Sequence, residues 1–254
     1  MDPVARERLI AGESTSEAVW SNWLHRLCVQ AWDWRSELQS AACLVVVAPH
    51  PDDELLACGG LLAMHARSGG KCRVLAVTDG EASHGRPSCE EMAELSRLRE
   101  QERARGLESL GIDSASSVQR LYLPDGQVAQ HADRLVELTA AALGPDDLVI
   151  TTWKLDGHPD HDSVGFCVAR ACRRVGCRMA MAPVWMWHWA FPADERVPWH
   201  RMRSVTLDAQ AVQSKTNALA AHHSQLAARC AGVEPILGPE ILARSGRSHE
   251  YFFV

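Results

Sequence analysis

Cys43-Leu44-Val45-Val46-Val47-Ala48 is a nearly continuous apolar run, and after Pro49 it gives way to His50-Pro51-Asp52-Asp53-Glu54. Apolar residues at successive positions, rather than at every second one, suit a strand covered on both faces, as in a parallel sheet between two helical layers. From Asp53 to about Ser68 the pattern is helical, and it stops at Gly69-Gly70, a suitable C-terminal signal. A buried strand passing directly into a helix is the repeating unit of a doubly wound α/β sheet.

The alternation continues downstream. Residues 73–78 read as a second strand, and about 90–110 as a long charged helix ended by Gly111. Residues 118–123 and 148–152 read as further strands with a helix near 131–143 between them; helices over about 160–175 and 208–221 follow. Val184-Trp185-Met186-Trp187-His188-Trp189 alternates tryptophan with Met186 and His188, which predicts a strand with its indoles on one face. Upstream, Ser14-Thr15-Ser16-Glu17 has the form of a capping box, and Val19, Trp20, Trp23, Leu24 and Leu27 recur at helical spacing. Residues 16–38 are therefore expected to form one amphipathic helix. Its tryptophans (Trp20, Trp23, Trp32 and Trp34) are expected to pack on the domain's flank, with a substrate wall or a homo-oligomer interface as the alternatives. The expected organisation is an N-terminal helical extension over 1–40 and a single α/β domain over 41–254.

The chain has 254 residues, 46% hydrophobic and 23% charged, with a formal charge of −6. That is the profile of an ordinary globular protein, and it speaks against nucleic acid as the main partner, which calls for concentrated positive charge. No run of about 18 apolar residues is present to span a membrane. Met1-Asp2-Pro3-Val4-Ala5-Arg6-Glu7-Arg8 carries acids and no apolar core, so it does not read as a secretory signal. The nine cysteines include no Cys-x-x-Cys pair, and Cys167, Cys172 and Cys177 match no zinc-finger spacing. Reduced thiols, and hence a cytoplasmic location, are expected.

His50-Pro51-Asp52-Asp53-Glu54 follows a strand, where open α/β sheets place their sites. Three adjacent carboxylates beside a histidine repel one another unless a cation or solvent relieves them, although acids also suit a helix start. Asp156-Gly157-His158-Pro159-Asp160-His161 repeats the arrangement after residues 148–152. Proline suits the first helical position, which puts His158 near the cap and His161 about a turn further in. If the two strands are neighbours, the two turns together supply two imidazoles and a carboxylate to one metal, with positions left open. This is a catalytic rather than a structural zinc set. Spacing alone leaves open which of Asp52 and Asp53 binds metal and which serves as base.

The two motifs in order resemble those of the LmbE-like (PIG-L) family of N-acetylglucosaminyl deacetylases. Weaker similarities surround them: Val77-Thr78-Asp79-Gly80-Glu81-Ala82-Ser83-His84, Arg99-x-x-Glu102 with Leu110-Gly111, Leu123-Pro124-Asp125-Gly126, and Lys215 with His222-x-Ser224-Gln225. The resemblance implies a Rossmann-like doubly wound, mostly parallel sheet and a zinc-dependent N-deacetylase of amino sugars or their conjugates. It also implies His50, Asp53 and His161 as ligands, to which iron(II) or cobalt(II) could bind in place of zinc. Asp52 would be the general base. His158 would stabilise the oxyanion and protonate the leaving amine, with Asp160 orienting and charging it. Arg99 and Asp125 would contact the sugar. Glu54 is expected to support the first motif, and Gly59-Gly60 to permit close packing.

His84 reads as a loop residue and His188 as a core histidine. His222 and His223 read as site or helix-cap residues. Rival functions are an amidase acting on another N-acyl group or a thiol conjugate, and a non-haem iron oxygenase sharing the two-histidine, one-carboxylate set. A nucleotide-binding module would need a Gly-x-Gly-x-x-Gly turn, where this chain has the His-Pro-Asp motif. A non-catalytic interaction protein would have little use for both motifs.

Overall fold

Strands β1 (Gln30–Ala31), β2 (Leu44–Ala48), β3 (Cys72–Ala76), β4 (Val118–Arg120), β5 (Leu148–Thr152), β6 (Arg178–Ala182), β7 (Met202–Thr206) and β8 (His249–Phe253) form one sheet. The computed structural model describes residues 8, 10, 14–83, 88–228 and 234–254. His84 and most of residues 1–13 of the expected extension lie outside the described residues. The sheet order is β1-β7-β8-β6-β5-β2-β3-β4. All pairings are parallel except those of β8 with β6 and β7.

The helices are α1 (Glu17–Leu27), α2 (Trp34–Gln39), α3 (Asp53–Arg67), α4 (Cys89–Ser109), α5 (Ser114–Ser117), α6 (Ala132–Ala142), α7 (Pro159–Val175), α8 (Met186–Trp189), α9 (Ala209–Ala220), α10 (His223–Leu226) and α11 (Pro239–Ser245). Alternate residues of β2 face opposite layers. Leu44, Val46 and Ala48 pack with α3, α4 and α9, whereas Val45 and Val47 pack with α6 and α7. This is the two-sided covering that the unbroken apolar run requires. A third cluster joins Trp20 and Leu24 of α1 to Trp153, Trp187 and Phe253. Among the described residues no helix is long and apolar enough to cross a membrane.

The chain winds from β2 through β3 to β4 in one direction and from β5 to β6 in the other. The switch point lies between the adjacent strands β2 and β5, where Val47 pairs with Thr151. Ligand crevices of open α/β sheets form there, and both His-Pro-Asp motifs leave the sheet at this point.

Two expected elements differ. The helix over 16–38 is divided: α1 ends at Cys28, which takes a left-handed conformation (φ 50), and Gln30–Ala31 pair with β7 before α2 begins. Helical periodicity could not register this, because the competing hydrogen bonds come from a strand far along the chain, at Arg203 and Ser204. Nor does the expected capping box form, since Ser16 is the N-cap without a side-chain bond and Thr15 donates instead to Ala190 O at 2.7 Å.

The predicted strand over 184–189 is a bend leading into α8. The Asp156 carboxylate accepts the amides of Val184, Trp185 and Met186, each at 2.9 Å, so these three cannot serve a ladder. The edge-ward strands β6, β7 and β8, short and mixed in polarity, were not anticipated. The expected flank packing of the tryptophans is observed: Trp20 is fully buried against Trp187 (ring centroids 5.0 Å apart), and Trp23 packs on Trp199 at 4.4 Å.

Candidate active site

After β2, Pro49 and His50 lead to Asp52, whose backbone adopts φ 137, ψ −25 as the N-cap of α3. A non-glycine residue in this region carries strain, which the surrounding structure must hold in place. Here Arg99 does so: its Nη2 donates to Pro51 O at 2.8 Å and to Asp52 Oδ2 at 3.2 Å, while Nη1 donates to Gly80 O at 3.0 Å. Asp53, one residue on, turns the opposite way and accepts the His50 backbone amide on Oδ2 at 2.9 Å. The adjacent aspartates thus face different partners.

From the second motif, His158 caps α7 and Pro159 occupies its first turn. His161 lies one turn further in and is fully buried. Its Nδ1 is 2.8 Å from Asp156 Oδ2, which fixes the proton on that nitrogen and turns Nε2 toward Asp53. Nε2 lies 3.2 Å from Asp53 Oδ2 but makes no hydrogen bond. The same Asp53 oxygen is 3.0 Å from His50 Nδ1. Ligand-capable atoms of His50, Asp53 and His161 all lie within 4.8 Å of one another.

The donor chemistry fits a divalent cation. Two imidazoles and one carboxylate converge, His161 Nε2 is buried without a hydrogen-bond partner, and a second carboxylate holds that ring from behind. The electrostatics agree. Burial works against charge on His50, yet Asp125, Asp160 and Asp53 hold its pKa well above the ordinary value. Burial likewise opposes charge on His161, but Asp53 and Asp156 lift it to about 9. Burial acts upward on Asp53, yet His161 and His50 hold it far below the usual carboxylate range. The surrounding carboxylates thus favour positive charge at this point. Burial pushes Asp52 up to about 7, against the pull of Arg99.

His158 and Asp160 differ from the expected relay. Asp160 accepts from Gly126 N at 2.8 Å and Val128 N at 3.2 Å and lies 3.2 Å from His50 Nε2. No hydrogen bond joins its carboxylate to His158. Instead His158 Nδ1 accepts the Asp160 backbone amide at 3.2 Å, which leaves the ring proton on Nε2. Burial, then the neighbouring His161 and His50, push His158 down to about 3, so the ring is neutral. The relay is what the family resemblance implies; here the amides of Gly126 and Val128 set the direction of the Asp160 carboxylate.

A cavity of about 400 Å³ opens over these groups, with His50, Asp52, Asp53, Arg99, Asp125, His158 and His161 on its walls. Trp185, Leu56, Leu237 and Gln225 complete it on another side. Asp125 lies 3.2 Å from His50 Nε2 and accepts Ala82 N at 3.0 Å; Glu81 in turn accepts Asp125 N at 2.9 Å. Burial acts upward on Asp125, but His50 and the Ala82 amide bring it down to about 2. Asp79 is bound instead to Arg120 and Ser96. Glu54 accepts the Asp52 amide at 3.3 Å, the supporting bond expected of it. Gly60 allows the close approach of Leu207, which an added Cβ would meet at 2.4 Å. His188 sits in α8 edge-on to Trp185. His222, the N-cap of α10, is buried and bonds back to Ala218 O in the last turn of α9.

Sequence reasoning assigned no role to Asp156, Trp185 or Gln225. Asp156 had a signal: it opens the second motif, five residues before His161. Gln225 had a weak one in the stretch His222-x-Ser224-Gln225, whereas Trp185 had none, because only tertiary contact brings it to the cavity.

No curated protein sequence matches the chain. Solved structures do match in fold. The conserved protein TT1542 from Thermus thermophilus is 27% identical, with 79% of this chain and 84% of that one covered and a TM-score of 0.56. An N,N'-diacetylchitobiose deacetylase from Pyrococcus horikoshii is 18% identical over 85% and 82%, with a TM-score of 0.56. An antimicrobial pseudoaglycone deacetylase is 20% identical over 84% and 96%, with a TM-score of 0.61. The family model described as GlcNAc-PI de-N-acetylase, PIG-L, matches residues 45–172, half the chain, from the strand before the first motif through most of the helix after the second. The chain belongs to the PIG-L family.

Proposed function

We propose that the protein is a divalent-metal-dependent N-deacetylase of an N-acetylated amino sugar or its conjugate. The observation that carries the reading is the cavity in which His50, Asp53 and His161 converge beside Asp52 and His158. His50, Asp53 and His161 would hold the metal, with zinc the first choice for this donor set. When bound, the metal polarises the acetamide carbonyl and lowers the pKa of water.

The chain's own residues account for the rest. Asp52, placed by Arg99 and by its strained backbone, takes a proton from the attacking water and returns it to the departing nitrogen. His158, with its proton on Nε2, donates a hydrogen bond to the oxygen that becomes negative; one such donor is typically worth about 10²–10³ in rate. A neutral imidazole is a good donor but a weak acid, which is why the amine's proton is assigned to Asp52. Asp160 holds His50 and the loop at Gly126, a positioning role. Arg99, whose Nη atoms are engaged, acts on Asp52 rather than on the sugar. Asp125 is positioned to accept sugar hydroxyls, and Trp185 offers a flat apolar face for the ring.

The family description and the names of the similar structures support the acetamide and the sugar. The scattered thiols of the sequence support a cytoplasmic location. The decisive test is acetate release from a panel of N-acetylated sugars, glycosides and nucleotide sugars, with metal content measured alongside. We expect activity that chelation abolishes and zinc, iron(II) or cobalt(II) restores. Release of an acid only from other N-acyl or thiol conjugates would select the amidase reading. Absence of turnover with every metal on every amide would refute the proposal.

A further inference from the structure

Helix α3 carries Asp53 in its first turn and is not continuous. At Cys58 the backbone leaves the helical region (φ −153, ψ 28), so α3 is two short helices joined at a kink. A kink separates amides and carbonyls from their helical partners, and such groups need others when buried. In an unbroken helix the amides of Gly60 and Leu61 would donate to the carbonyls of Leu56 and Ala57.

Here both amides donate to one side chain on β8. Gly60 N reaches Glu250 Oε1 at 2.8 Å, and Leu61 N reaches Glu250 Oε2 at 2.9 Å. Across the break, Leu56 O accepts from Lys215 Nζ of α9 at 3.3 Å. Lys215 Nζ and Glu250 Oε1 are themselves 2.8 Å apart, and both residues are buried. Glu250 therefore caps the start of the second half of α3, Lys215 caps the end of the first, and the ion pair joins the caps. Gly59 leaves space for the lysine stem, since a Cβ there would sit 3.2 Å from Lys215 Cγ.

A buried ion pair is often no more stable than apolar residues of the same volume. The geometry it imposes is the more informative property. The first half of α3 is only a turn and a half long and bears Asp53, with Asp52 as its N-cap. Its direction is set at the kink. We propose that Lys215 and Glu250 are positioning residues for the reaction, holding the kink so that Asp53 meets His50 and His161 and Asp52 meets Arg99. Neither lines the catalytic cavity. The inference rests on the metal reading of His50, Asp53 and His161.

The test uses Lys215→Met, Glu250→Gln, the double variant and Lys215→Arg. Zinc affinity, kcat and KM, thermal melting and hydrogen exchange at Gly60 and Leu61 are measured on each. Lys215→Met and Glu250→Gln are expected to lose protection at those amides, to bind zinc about 10-fold more weakly, and to lower kcat by about 10–100-fold with KM little changed. Lys215→Arg, which keeps the charge, is expected to retain most of the zinc affinity and kcat. The double variant leaves no unpaired buried charge, so it provides a folded sample if the single variants unfold, and the same losses are expected of it. Lost protection with wild-type zinc affinity and kcat would overturn the proposal. So would unchanged protection at Gly60 and Leu61. If the wild-type protein binds no divalent metal and releases no acetate, the metal reading fails first; the exchange data still report separately whether the pair holds the kink.

Discussion

Asp52 combines a carboxylate raised to about 7 by burial with a backbone conformation, φ 137, that costs of the order of 1–3 kcal/mol. Such strain persists where the aim of a side chain matters. Asp52→Asn keeps the shape and removes the base, so it is expected to retain zinc and lower kcat by about 10²–10⁴-fold, read by metal content and acetate release. Wild-type turnover would remove Asp52 from the mechanism. Arg99 depends in turn on Gly80, because at φ 67 a Cβ would stand 1.9 Å from Arg99 Nη1. Gly80→Ala is expected to displace the guanidinium and lower kcat/KM by about 10-fold or more, with the metal retained. At this scale the motifs marked the residues that converge, His50, Asp52, Asp53 and His161, because side-chain type and order are written in the chain, while the separate roles proposed for Asp52 and Asp53 rest on the family resemblance. The direction of the Asp160 carboxylate is not legible there, because the amides of Gly126 and Val128 decide it.

Among the elements, β2, α3, β5 and α7 lie close to where apolar runs, glycine stops and Pro159 placed them. The alternation over 184–189 misled because a strand needs a ladder as well as a pattern, and Asp156 takes the amides a ladder would use. Asp156 therefore links α8 to His161. Asp156→Asn exchanges a charged acceptor for a neutral amide. It is expected to weaken zinc binding by about 10–100-fold and to lower stability by about 1–3 kcal/mol, followed by zinc titration and thermal melting. Unaltered zinc affinity would separate α8 from the metal site. The kink in α3 was also invisible in sequence, although Gly59-Gly60 marked a close approach.

For the whole molecule, stability should depend on pH partly through His222. Burial, aided by Arg99 and Arg103, pushes this histidine down to about 4. Above pH 6.5 it is neutral in both folded and unfolded chains and carries no penalty. As pH falls from about 6.5 toward 4 the unfolded chain binds a proton that the folded chain does not, and stability declines, by roughly 3 kcal/mol over the full span. Below about 4 both states bind it and the loss is complete. His222→Gln is expected to flatten that part of the melting-temperature profile; an unchanged slope would exclude His222 as its source. The sequence by itself determined the doubly wound class of the sheet, because strand burial and helix stops are written locally, and it marked the two His-Pro-Asp turns as candidate donors, because each carries its own imidazole and carboxylate. Tertiary structure alone decided that residues 30–31 join β7, that 184–189 bends, that Asp160 faces His50, and that Lys215 and Glu250 hold the kink. Each of these turns on which distant group satisfies a buried amide or carboxylate, and hydrogen-bond partners far apart in the chain leave no periodic trace in it.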